Sequence, residues 1–342
     1  MSFKYIKRIP KADEIVAGLP LSRDLAGVKG ERDKEIIAVF EQKSPRFILI
    51  IGPCSAHDED AVCEYVSRLA RLQEEVKERL ILIPRIYTNK PRTTGKGYKG
   101  MVHQPDPKKK PNMVEGIKGI RKMHIRALKE SHLTAADEML YPMNYPYLED
   151  ILSYVAIGAR SVENQQHRLT ISGLDIPAGM KNPTSGNLEV MFNAIYAARL
   201  SHIFIYNGQE VATSGNQLCH CILRGATNHY GQDIPNYHYE DLIKVTEMYK
   251  KHGFSNPTII VDTNHANSSK RYQEQKRIAL EVMQSRSYSK TLRQMVKGLM
   301  IESFLVPGSQ DVTGTVFGQS ITDPCLGWDS SAKLVRQIAE YV

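Results

Sequence analysis

The sequence predicts a (β/α)8 barrel (TIM barrel), an α/β fold in which eight parallel strands alternate with helices. Short runs rich in β-branched residues recur along the 342-residue chain. Most of these runs are separated by segments with helical periodicity, such as DEDAVCEYVSRLARLQEEVKERL and YEDLIKVTEMYKKHG. Strands that alternate with helices form parallel βαβ units. A doubly wound open sheet is the alternative that this alternation also allows.

The alternation of apolar runs and helical segments gives the position of each predicted element. The predicted strands lie near 47–54, 80–86, 133–138, 154–160, 176–181, 219–224, 258–265 and 298–303. We expect residues 1–45, with their short and broken helical patterns, to form an N-terminal extension before a catalytic barrel of residues 46–342. The segment 202–216 (HIFIYNGQEVATSGN) fits neither pattern. Its Asn207-Gly208 pair suits a type I′ turn, which predicts an inserted β-hairpin.

Composition limits the class of protein and its partners. The chain has 45 Lys and Arg against 37 Asp and Glu, a net charge of +8, which favours anionic ligands. The 17 Tyr and 8 Phe do not cluster with the basic residues, which argues against nucleic-acid binding. No apolar run approaches a membrane span, and no signal peptide is recognisable. Five cysteines without a disulfide-type spacing predict a reducing, cytoplasmic setting.

The ends of the predicted strands carry polar side chains. In a barrel of this kind the catalytic groups lie at the C-terminal ends of the strands. Taken in order, the residues at those ends are Cys54, Arg85, Glu138, Arg160, Lys181, Arg224, His265 and Glu302. Four of them are cations that would repel one another at one cavity without an anionic ligand. Because guanidinium groups suit phosphate and carboxylate, the sequence predicts one or two such substrates.

Two further groups of residues complete the predicted site. The loop NKPRTTGKGYKG (89–100) adds Lys90, Arg92, Thr93 and Lys99 around glycines that let a phosphate approach the backbone. Candidate metal ligands lie at the first, seventh and eighth strands and in the following QSITDPCLGW segment. They are Cys54, His265, Glu302 and Asp323. A mixed sulfur, nitrogen and oxygen set suits one divalent ion such as Mn, Fe, Co or Zn and does not choose among them.

Seven short motifs resemble those of a known family. GPCS, NKPRTT, AIGARSVENQQHR, KNPTSGN, ILRG, HANSSK and SITDPCLGW are similar to the motifs of the class I (type Iα) 3-deoxy-D-arabino-heptulosonate 7-phosphate (DAHP) synthases. The resemblance implies a (β/α)8 barrel and a metal-dependent condensation of phosphoenolpyruvate with erythrose 4-phosphate, the first step of the shikimate pathway to aromatic amino acids. It also implies a homodimer or homotetramer and, in some members, inhibition by an aromatic amino acid.

The resemblance also implies roles for individual residues. The metal ligands would be Cys54, His265, Glu302 and Asp323. Phosphoenolpyruvate would be held by Arg85, Arg160, Lys181 and Arg224, with Lys99 and Glu138 close by. The sugar phosphate would be received by Lys90, Pro91, Arg92 and Thr93. Lys181, His265 and Arg92 are the expected catalytic residues. We expect Asn264, Asn267 and Ser268 to orient ligands or contact phosphate.

Two related interpretations stay open at this point. A 3-deoxy-D-manno-octulosonate 8-phosphate synthase shares the barrel and the chemistry but uses arabinose 5-phosphate, and that family usually has Lys-Ala-Asn where this chain has Lys-Pro-Arg-Thr. A catalytically silent regulatory barrel is the second. The loop after Thr94 and the segment GATNHYGQDIPNY are longer than in well-known members, and the hairpin is shorter. The sequence therefore does not identify an inhibitor.

Overall fold

The computed structural model describes residues 2–342, which form ten α-helices and fourteen strands. The helices are α1 (Ala12–Gly18), α2 (Arg23–Phe40), α3 (Glu59–Val76), α4 (Met113–Ser131), α5 (Gln165–Ile171), α6 (Leu188–Ala198), α7 (Tyr239–His252), α8 (Gln275–Tyr288), α9 (Lys290–Met295) and α10 (Trp328–Glu340). The strands are β1 (Phe47–Gly52), β2 (Leu80–Pro84), β3 (Ala136–Glu138), β4 (Tyr154–Ile157), β5 (Ala178–Lys181), β6 (Ile203–Tyr206), β7 (Gln209–Ala212), β8 (Cys219–Leu223), β9 (Ala226–Thr227), β10 (Asp233–Ile234), β11 (Ile259–Asp262), β12 (Val296–Glu302), β13 (Val306–Ser309) and β14 (Gln319–Ser320).

Eight of the strands form the barrel. They pair in parallel in the order β2-β1-β12-β11-β8-β5-β4-β3. A parallel bridge between Arg85 and Ala136 joins the two ends of this sheet, because Ile86 N donates to Ala136 O at 2.9 Å. The prediction of a (β/α)8 barrel is therefore confirmed, and an open doubly wound sheet is excluded.

Strand periodicity separates the two faces of the barrel wall. Alternate residues of each strand point inward or toward the helices. The inward side chains, among them Ile48, Ile83, Tyr154 and Met300, form a separate buried cluster that also contains Phe40 from the end of α2. The other face packs against the surrounding helices in a larger cluster. The interior is consequently filled at its base, and polar residues are confined to the opposite end.

Helix α3 illustrates why the helical segments form. Asp58 caps its N-terminus by accepting from Ala61 N at 3.0 Å, and acidic residues occupy the first turn. Val62, Val66 and Leu69 follow at helical spacing and are buried against the barrel. Full burial of each such side chain is worth about 1.5–3 kcal/mol. The remaining face is charged and faces solvent.

Two segments stand outside the strand–helix alternation. Helices α1 and α2 precede the barrel and lie against it, with Arg121 of α4 donating to Leu19 O at 2.7 Å. Strands β6 and β7 form an antiparallel hairpin whose turn residues Asn207 and Gly208 have φ of 52° and 78°. None of the helices between residues 2 and 342 is long and apolar enough to cross a membrane.

Candidate active site

A polar cavity of about 240 Å³ opens at the C-terminal ends of the barrel strands. Its cationic lining residues are Arg85, Lys90, Arg92, Lys96, Arg160, Lys181, Arg224 and Lys270. Cys54, Glu138, His265 and Asp323 line it as well. Eight cations against two carboxylates give this small volume a strong positive potential, so the cavity favours ligands that carry several negative charges.

Three metal-type donors meet at one side of the cavity. A sulfur of Cys54 and one carboxylate oxygen each of Glu302 and Asp323 all lie within 4.8 Å of one another. His265 Nε2 lies 4.0 Å from Glu302 Oε1, next to this group. Thiolate, imidazole and carboxylate at such spacing fit a first-row divalent ion. Cys54, Glu302 and Asp323 are thus brought together by β1, β12 and the loop after β14, and His265 lies next to them in the turn after β11.

Lys90 shows that this group of donors attracts positive charge. Its Nζ lies 2.7 Å from Cys54 Sγ and 2.9 Å from Asp323 Oδ2. Burial opposes the charged form of Lys90, but Cys54 and Asp323 outweigh it and raise the pKa of the amine. Sulfur and carboxylate here stabilise a cation, which is the electrostatic condition for binding a metal ion.

The charge states of the donors follow from burial and neighbours. Burial, followed by the negative charge of Glu302, raises the pKa of the Cys54 thiol to about 11. Burial also opposes ionisation of Glu302, but Arg85 and His265 hold the pKa of this carboxyl below its usual value. A cation placed between the donors would favour the thiolate, because an adjacent positive charge lowers a thiol pKa.

Arg85 lies at the base of the cavity. Its Nη2 donates to Glu302 Oε1 at 2.9 Å, and both side chains are almost fully buried. Nη1 donates to Pro53 O, and the guanidinium lies over the Tyr87 ring at 3.7 Å from the centroid. Arg85 is therefore held rigidly, and it links the cationic part of the cavity to a predicted metal ligand.

A buried chain of polar groups connects Lys181 to His265. Asp262 Oδ2 lies 2.9 Å from Lys181 Nζ and 2.8 Å from His265 Nδ1. Burial opposes the Asp262 charge, but His265 and Lys181 hold the pKa of this carboxyl well below its usual value. Burial lowers the pKa of His265, which favours the neutral imidazole. With Nδ1 facing Asp262, Nε2 is directed toward Glu302.

Local backbone geometry places His265. Strand β11 ends at Asp262, three residues before the predicted end, and a short 3-10 helix begins at His265. The φ of His265 is 51°, in the left-handed region that costs a non-glycine residue about 1–3 kcal/mol. Asn267 Nδ2 donates to Asp262 O at 2.8 Å and helps to hold this turn.

The cations on the opposite side of the cavity are less constrained. Arg160 Nε donates to Thr93 Oγ1 at 2.8 Å, and Arg92 Nε donates to Tyr98 O at 2.8 Å. Arg224 Nη1 is buried and has no hydrogen-bond partner among the described residues. Burial lowers the pKa of Arg224. An unpartnered buried guanidinium nitrogen beside a cavity indicates a site for an anion.

The loop 89–100, which the sequence predicts to bind phosphate, lies at the rim of the cavity. Pro91, Thr93 and Lys96 line the cavity, whereas Lys99 does not, and the carbonyl of Lys99 accepts from Lys90 N at 3.0 Å.

Glu138 lies directly against Gly158, where a Cβ would come within 2.4 Å of Glu138 Oε1. Only glycine at this position leaves room for the carboxylate.

Asn264 and Ser268, which the sequence analysis expects to orient ligands or contact phosphate, lie beside the donors. Asn264 Nδ2 donates to Glu302 Oε2 at 2.6 Å, and Ser268 Oγ donates to Asn264 Oδ1 at 2.7 Å. Gln275 also contacts the backbone of Glu302 at both N and O. Asp262, Gln275 and Lys96 were not singled out by sequence reasoning, and Lys270 lies in the HANSSK motif but was assigned no role. Their position becomes visible only when the strands are assembled.

The fold and the cavity define a (β/α)8-barrel protein whose site is built for multiply charged anions beside a set of metal-type donors. Residues 29–336 match the DAHP synthetase I family, and the chain belongs to that family. The phospho-2-dehydro-3-deoxyheptonate aldolase of Haemophilus influenzae is 36% identical over 349 residues, with 98% of this chain and 93% of that protein covered.

Other relatives agree in name and in structure. The Phe-sensitive phospho-2-dehydro-3-deoxyheptonate aldolase of Escherichia coli K12 is 35% identical and covers 100% of this chain and 97% of its own length. The Trp-sensitive enzyme of the same strain is also 35% identical, with 96% and 93% covered. The solved structure of the phospho-2-dehydro-3-deoxyheptonate aldolase from Francisella tularensis SCHU S4 superimposes with a TM-score of 0.92 at 30% identity, and covers 100% of this chain and 98% of that chain.

Proposed function

We propose that the chain is a phospho-2-dehydro-3-deoxyheptonate aldolase (DAHP synthase), which condenses phosphoenolpyruvate, D-erythrose 4-phosphate and water to DAHP and phosphate. The observation that carries this proposal is the cation-lined cavity beside Cys54, Glu302 and Asp323, in a chain of the DAHP synthetase I family. The two substrates bring two phosphates and one carboxylate. That set of anions matches the excess of cations around the cavity.

Phosphoenolpyruvate binds among Arg85, Arg160, Lys181 and Arg224 in this proposal. The buried Arg224 Nη1 without a partner and the buried Lys181 ammonium support it, since each offers a donor to an anion. Guanidinium forks fix both the position and the orientation of a carboxylate or phosphate. Holding the enol carbon next to the aldehyde is worth up to about 7–11 kcal/mol of barrier.

Erythrose 4-phosphate binds at the rim, between Lys90, Pro91, Arg92 and Thr93. The contact between Arg160 and Thr93 supports this assignment, because it brings the two substrate regions together. Lys96 and Lys270 also line this side of the cavity and add positive charge. The Lys99 prediction stays untested, and Lys90 and Lys96 are the lysines of this loop that line the cavity.

Cys54, His265, Glu302 and Asp323 would hold a divalent ion, which acts as a Lewis acid on the aldehyde oxygen when bound. Lys90 Nζ and a metal ion would compete for the same two ligands, Cys54 and Asp323. Metal binding is therefore expected to release the Lys90 ammonium toward the sugar phosphate. The identity of the ion is left to experiment, because the mixed donor set suits Mn, Fe, Co and Zn.

Lys181 and His265 are the groups we propose for proton transfer, with Asp262 orienting both. The Lys181 ammonium and the His265 imidazole share Asp262 Oδ2, so Asp262 fixes their positions relative to the cavity. Arg92 contributes to catalysis by neutralising the sugar phosphate. C3 of phosphoenolpyruvate bonds to the aldehyde carbon, water adds at C2, and the resulting hemiketal phosphate expels inorganic phosphate. In this scheme the Lys181 ammonium donates a proton to the aldehyde oxygen, and His265 with Asp262 accepts the proton from the water.

The choice of aldose tests the proposal. Purified protein with Mn²⁺ is expected to release phosphate from phosphoenolpyruvate with erythrose 4-phosphate and to show little turnover with arabinose 5-phosphate. Preference for arabinose 5-phosphate would favour the octulosonate synthase alternative. Bound metal without turnover of either aldose would favour a silent regulatory barrel.

An aromatic amino acid is the inhibitor we propose, at a second cavity of about 280 Å³ beside the β6–β7 hairpin. Its walls include Leu174, Phe204 and Tyr206, with the carboxylate of Glu149 available to an ammonium group. The Phe-sensitive and Trp-sensitive relatives support this regulation. Phe204→Ala is expected to keep turnover and lose inhibition by whichever of Phe, Tyr and Trp inhibits the unmodified protein. Full activity with all three amino acids present would contradict the proposal.

A homodimer or homotetramer is the assembly we propose, built on an extension of residues 1–45 and a catalytic unit of residues 46–342. Ile203 and Ile205 of the hairpin are 76% and 75% exposed, and Phe3, Tyr5 and Ile6 of the extension are more exposed still. Apolar side chains exposed to this degree favour contact with a second copy. Sedimentation of the purified protein would test this assembly.

The five cysteines are free and buried, which supports a location in a reducing cytoplasm.

A further inference from the structure

A third cavity lies on the face of the barrel opposite the candidate active site. It has a volume of about 680 Å³ and sits at the N-terminal ends of β1 and β12, with α9 and the end of α10 beside it. We call it the basal cavity. Its charged lining residues are all cationic side chains, namely Lys43, Arg46, Arg286, Arg293 and Lys297. No Asp or Glu side chain lines it.

Two of these cations are neutralised by neighbours outside the cavity. Arg46 pairs with Glu35 at 3.4 Å, and Lys43 pairs with Glu41 at 2.6 Å. Both pairs lie at the edge of the cavity, on the α2 side. These pairs are exposed or partly exposed, and they do not neutralise the positive charge in the inner part of the basal cavity.

The other three cations have no carboxylate partner between residues 2 and 342. Arg286 Nε donates to Val296 O at 2.8 Å, Nη2 to Arg293 O at 3.4 Å and Nη1 to Met283 Sδ at 3.9 Å, and its guanidinium lies over the Phe47 ring at 4.3 Å from the centroid. Arg293 Nη2 donates to Ser287 O at 2.8 Å, and Lys297 Nζ donates to Phe40 O at 2.6 Å. Arg286 and Lys297 are each 6% exposed. Each side chain therefore keeps donors that these carbonyls do not use.

Buried positive charge without a counterion is unfavourable. Burial lowers the pKa of Lys297 to about 8 and that of Arg286 to about 10, the latter with a further contribution from the positive charge of Arg293. An anion bound in the cavity would relieve the repulsion between Arg286 and Arg293, offset the burial of the Lys297 charge and use the remaining donors. A purely structural role accounts for three donors of Arg286 and for one donor each of Arg293 and Lys297, and it does not account for the clustering of the three cations.

We propose that the basal cavity is a binding site for a compact, phosphate-bearing anion with at least two negative charges, distinct from the candidate active site. Arginine forks and a lysine ammonium recognise phosphate groups through charge-assisted hydrogen bonds. The volume lies in the range of small-molecule sites, which is about 300–1,000 Å³. The reaction does not require a cluster of cations at the N-terminal face of the barrel, so this inference does not depend on the proposed function.

Inorganic pyrophosphate is the probe, with binding measured by titration calorimetry at fixed ionic strength. The unmodified protein is expected to show two classes of site. Arg293→Gln and Lys297→Met are each expected to weaken pyrophosphate binding at the basal cavity about tenfold, which corresponds to the loss of one charge-assisted hydrogen bond. Arg160→Gln is expected to weaken pyrophosphate binding only at the candidate active site. Lys244→Gln removes an equal charge from an exposed position of α7 and is expected to change neither.

Each result of these measurements either supports or contradicts the proposal. Arg293 is exposed, so Arg293→Gln is expected to fold even if Lys297→Met does not. Saturation with pyrophosphate is also expected to raise the pKa of the Lys297 amine, followed by NMR of the labelled side chain. The proposal is wrong if Arg293→Gln binds like Lys244→Gln, if only the class weakened by Arg160→Gln exists, or if the Lys297 pKa does not move.

Discussion

Gln275 shows how a single side chain fixes the geometry of a site it does not line. This first residue of α8 accepts from Glu302 N at 2.8 Å and donates to Glu302 O at 2.9 Å. Its Oε1 also accepts from Thr263 Oγ1 at 3.1 Å. Gln275 thus ties the C-terminal end of β12, which carries a predicted metal ligand, to the segment after β11 that carries His265.

Gln275→Leu is expected to lower metal affinity about 10–100-fold, because residues that orient metal ligands have effects of that size. It is also expected to lower the free energy of unfolding by about 1–3 kcal/mol for each buried polar group left without a partner. Metal titration and chemical denaturation measure the two effects.

Gln73→Leu is a matched control. Gln73 of α3 contacts β2 in the same way, donating to Leu80 O at 2.9 Å and accepting from Leu82 N at 2.7 Å. This variant is expected to lose similar stability and to keep metal affinity. Equal loss of metal affinity in both variants would show that the effect of Gln275→Leu comes from general destabilisation.

The sequence identified candidate ligands better than the residues that orient them. Cys54 and Asp323 stand in recognisable motifs, Glu302 ends a predicted strand, and the three meet in space. Asp262 and Gln275 were assigned no role, because their function arises from contacts between separate elements. A carboxylate at the end of an apolar strand looks the same in sequence whether it orients a lysine or faces solvent. Only the assembled barrel distinguishes the two.

At the scale of elements, α2 closes the base of the barrel over strand β8. Phe40 at the end of α2 lies 4.7 Å from the ring of His220, centroid to centroid. His220 Nδ1 lies 2.8 Å from Leu218 O, and Nε2 lies 2.8 Å from Tyr154 OH. The carbonyl requires a proton on Nδ1, so the neutral imidazole accepts from the tyrosine. A second proton on Nε2 would reverse this hydrogen bond and leave the Tyr154 hydroxyl without its acceptor.

This packing predicts a pH dependence of stability. Burial, followed by the positive charges of Arg199 and Lys297, lowers the pKa of His220 to about 3. In the unfolded chain the imidazole would titrate near its ordinary value of about 6.5. The unfolded state therefore binds the extra proton first as pH falls below about 6.5, and the folded state loses stability down to about pH 3. At pH 5 the loss amounts to about 2 kcal/mol.

His220→Gln, which can still donate to the carbonyl and accept from the tyrosine, isolates this effect from the titration of carboxylates. Between pH 7 and pH 5 the unmodified protein is expected to lose about 2 kcal/mol more unfolding free energy than the variant. Denaturant unfolding at the two pH values measures the difference. Parallel losses in both proteins would contradict the assignment of a low His220 pKa.

Elements were predictable where their periodicity was strong. The eight β-branched runs became the eight barrel strands, although several are shorter than expected, as with β3 at Ala136–Glu138. Strand ends are hard to predict because polar residues at the C-terminal edge leave the ladder to face the cavity. The two-residue strands β9 and β10 within GATNHYGQDIPNY escaped prediction, since so few residues carry no periodic signal.

At the scale of the whole molecule, the residues that stabilise the barrel and the residues of the candidate active site lie at opposite ends of it. Apolar side chains fill the interior toward its base, while the opposite end gathers cations and metal-type donors around one cavity. This arrangement is typical of (β/α)8-barrel enzymes, whose active sites lie at the C-terminal ends of the strands. The overall charge of +8 is consistent with attraction of two phosphorylated substrates to that end.

The central claim is that this cavity performs a metal-dependent condensation. Phosphate release from phosphoenolpyruvate with erythrose 4-phosphate, measured after chelation and again after addition of Mn²⁺, tests it most directly. We predict that release disappears with the chelator and returns with the metal. Release that is unaffected by chelation would contradict the metal site, and a folded, metal-loaded protein that releases no phosphate would contradict the reaction itself.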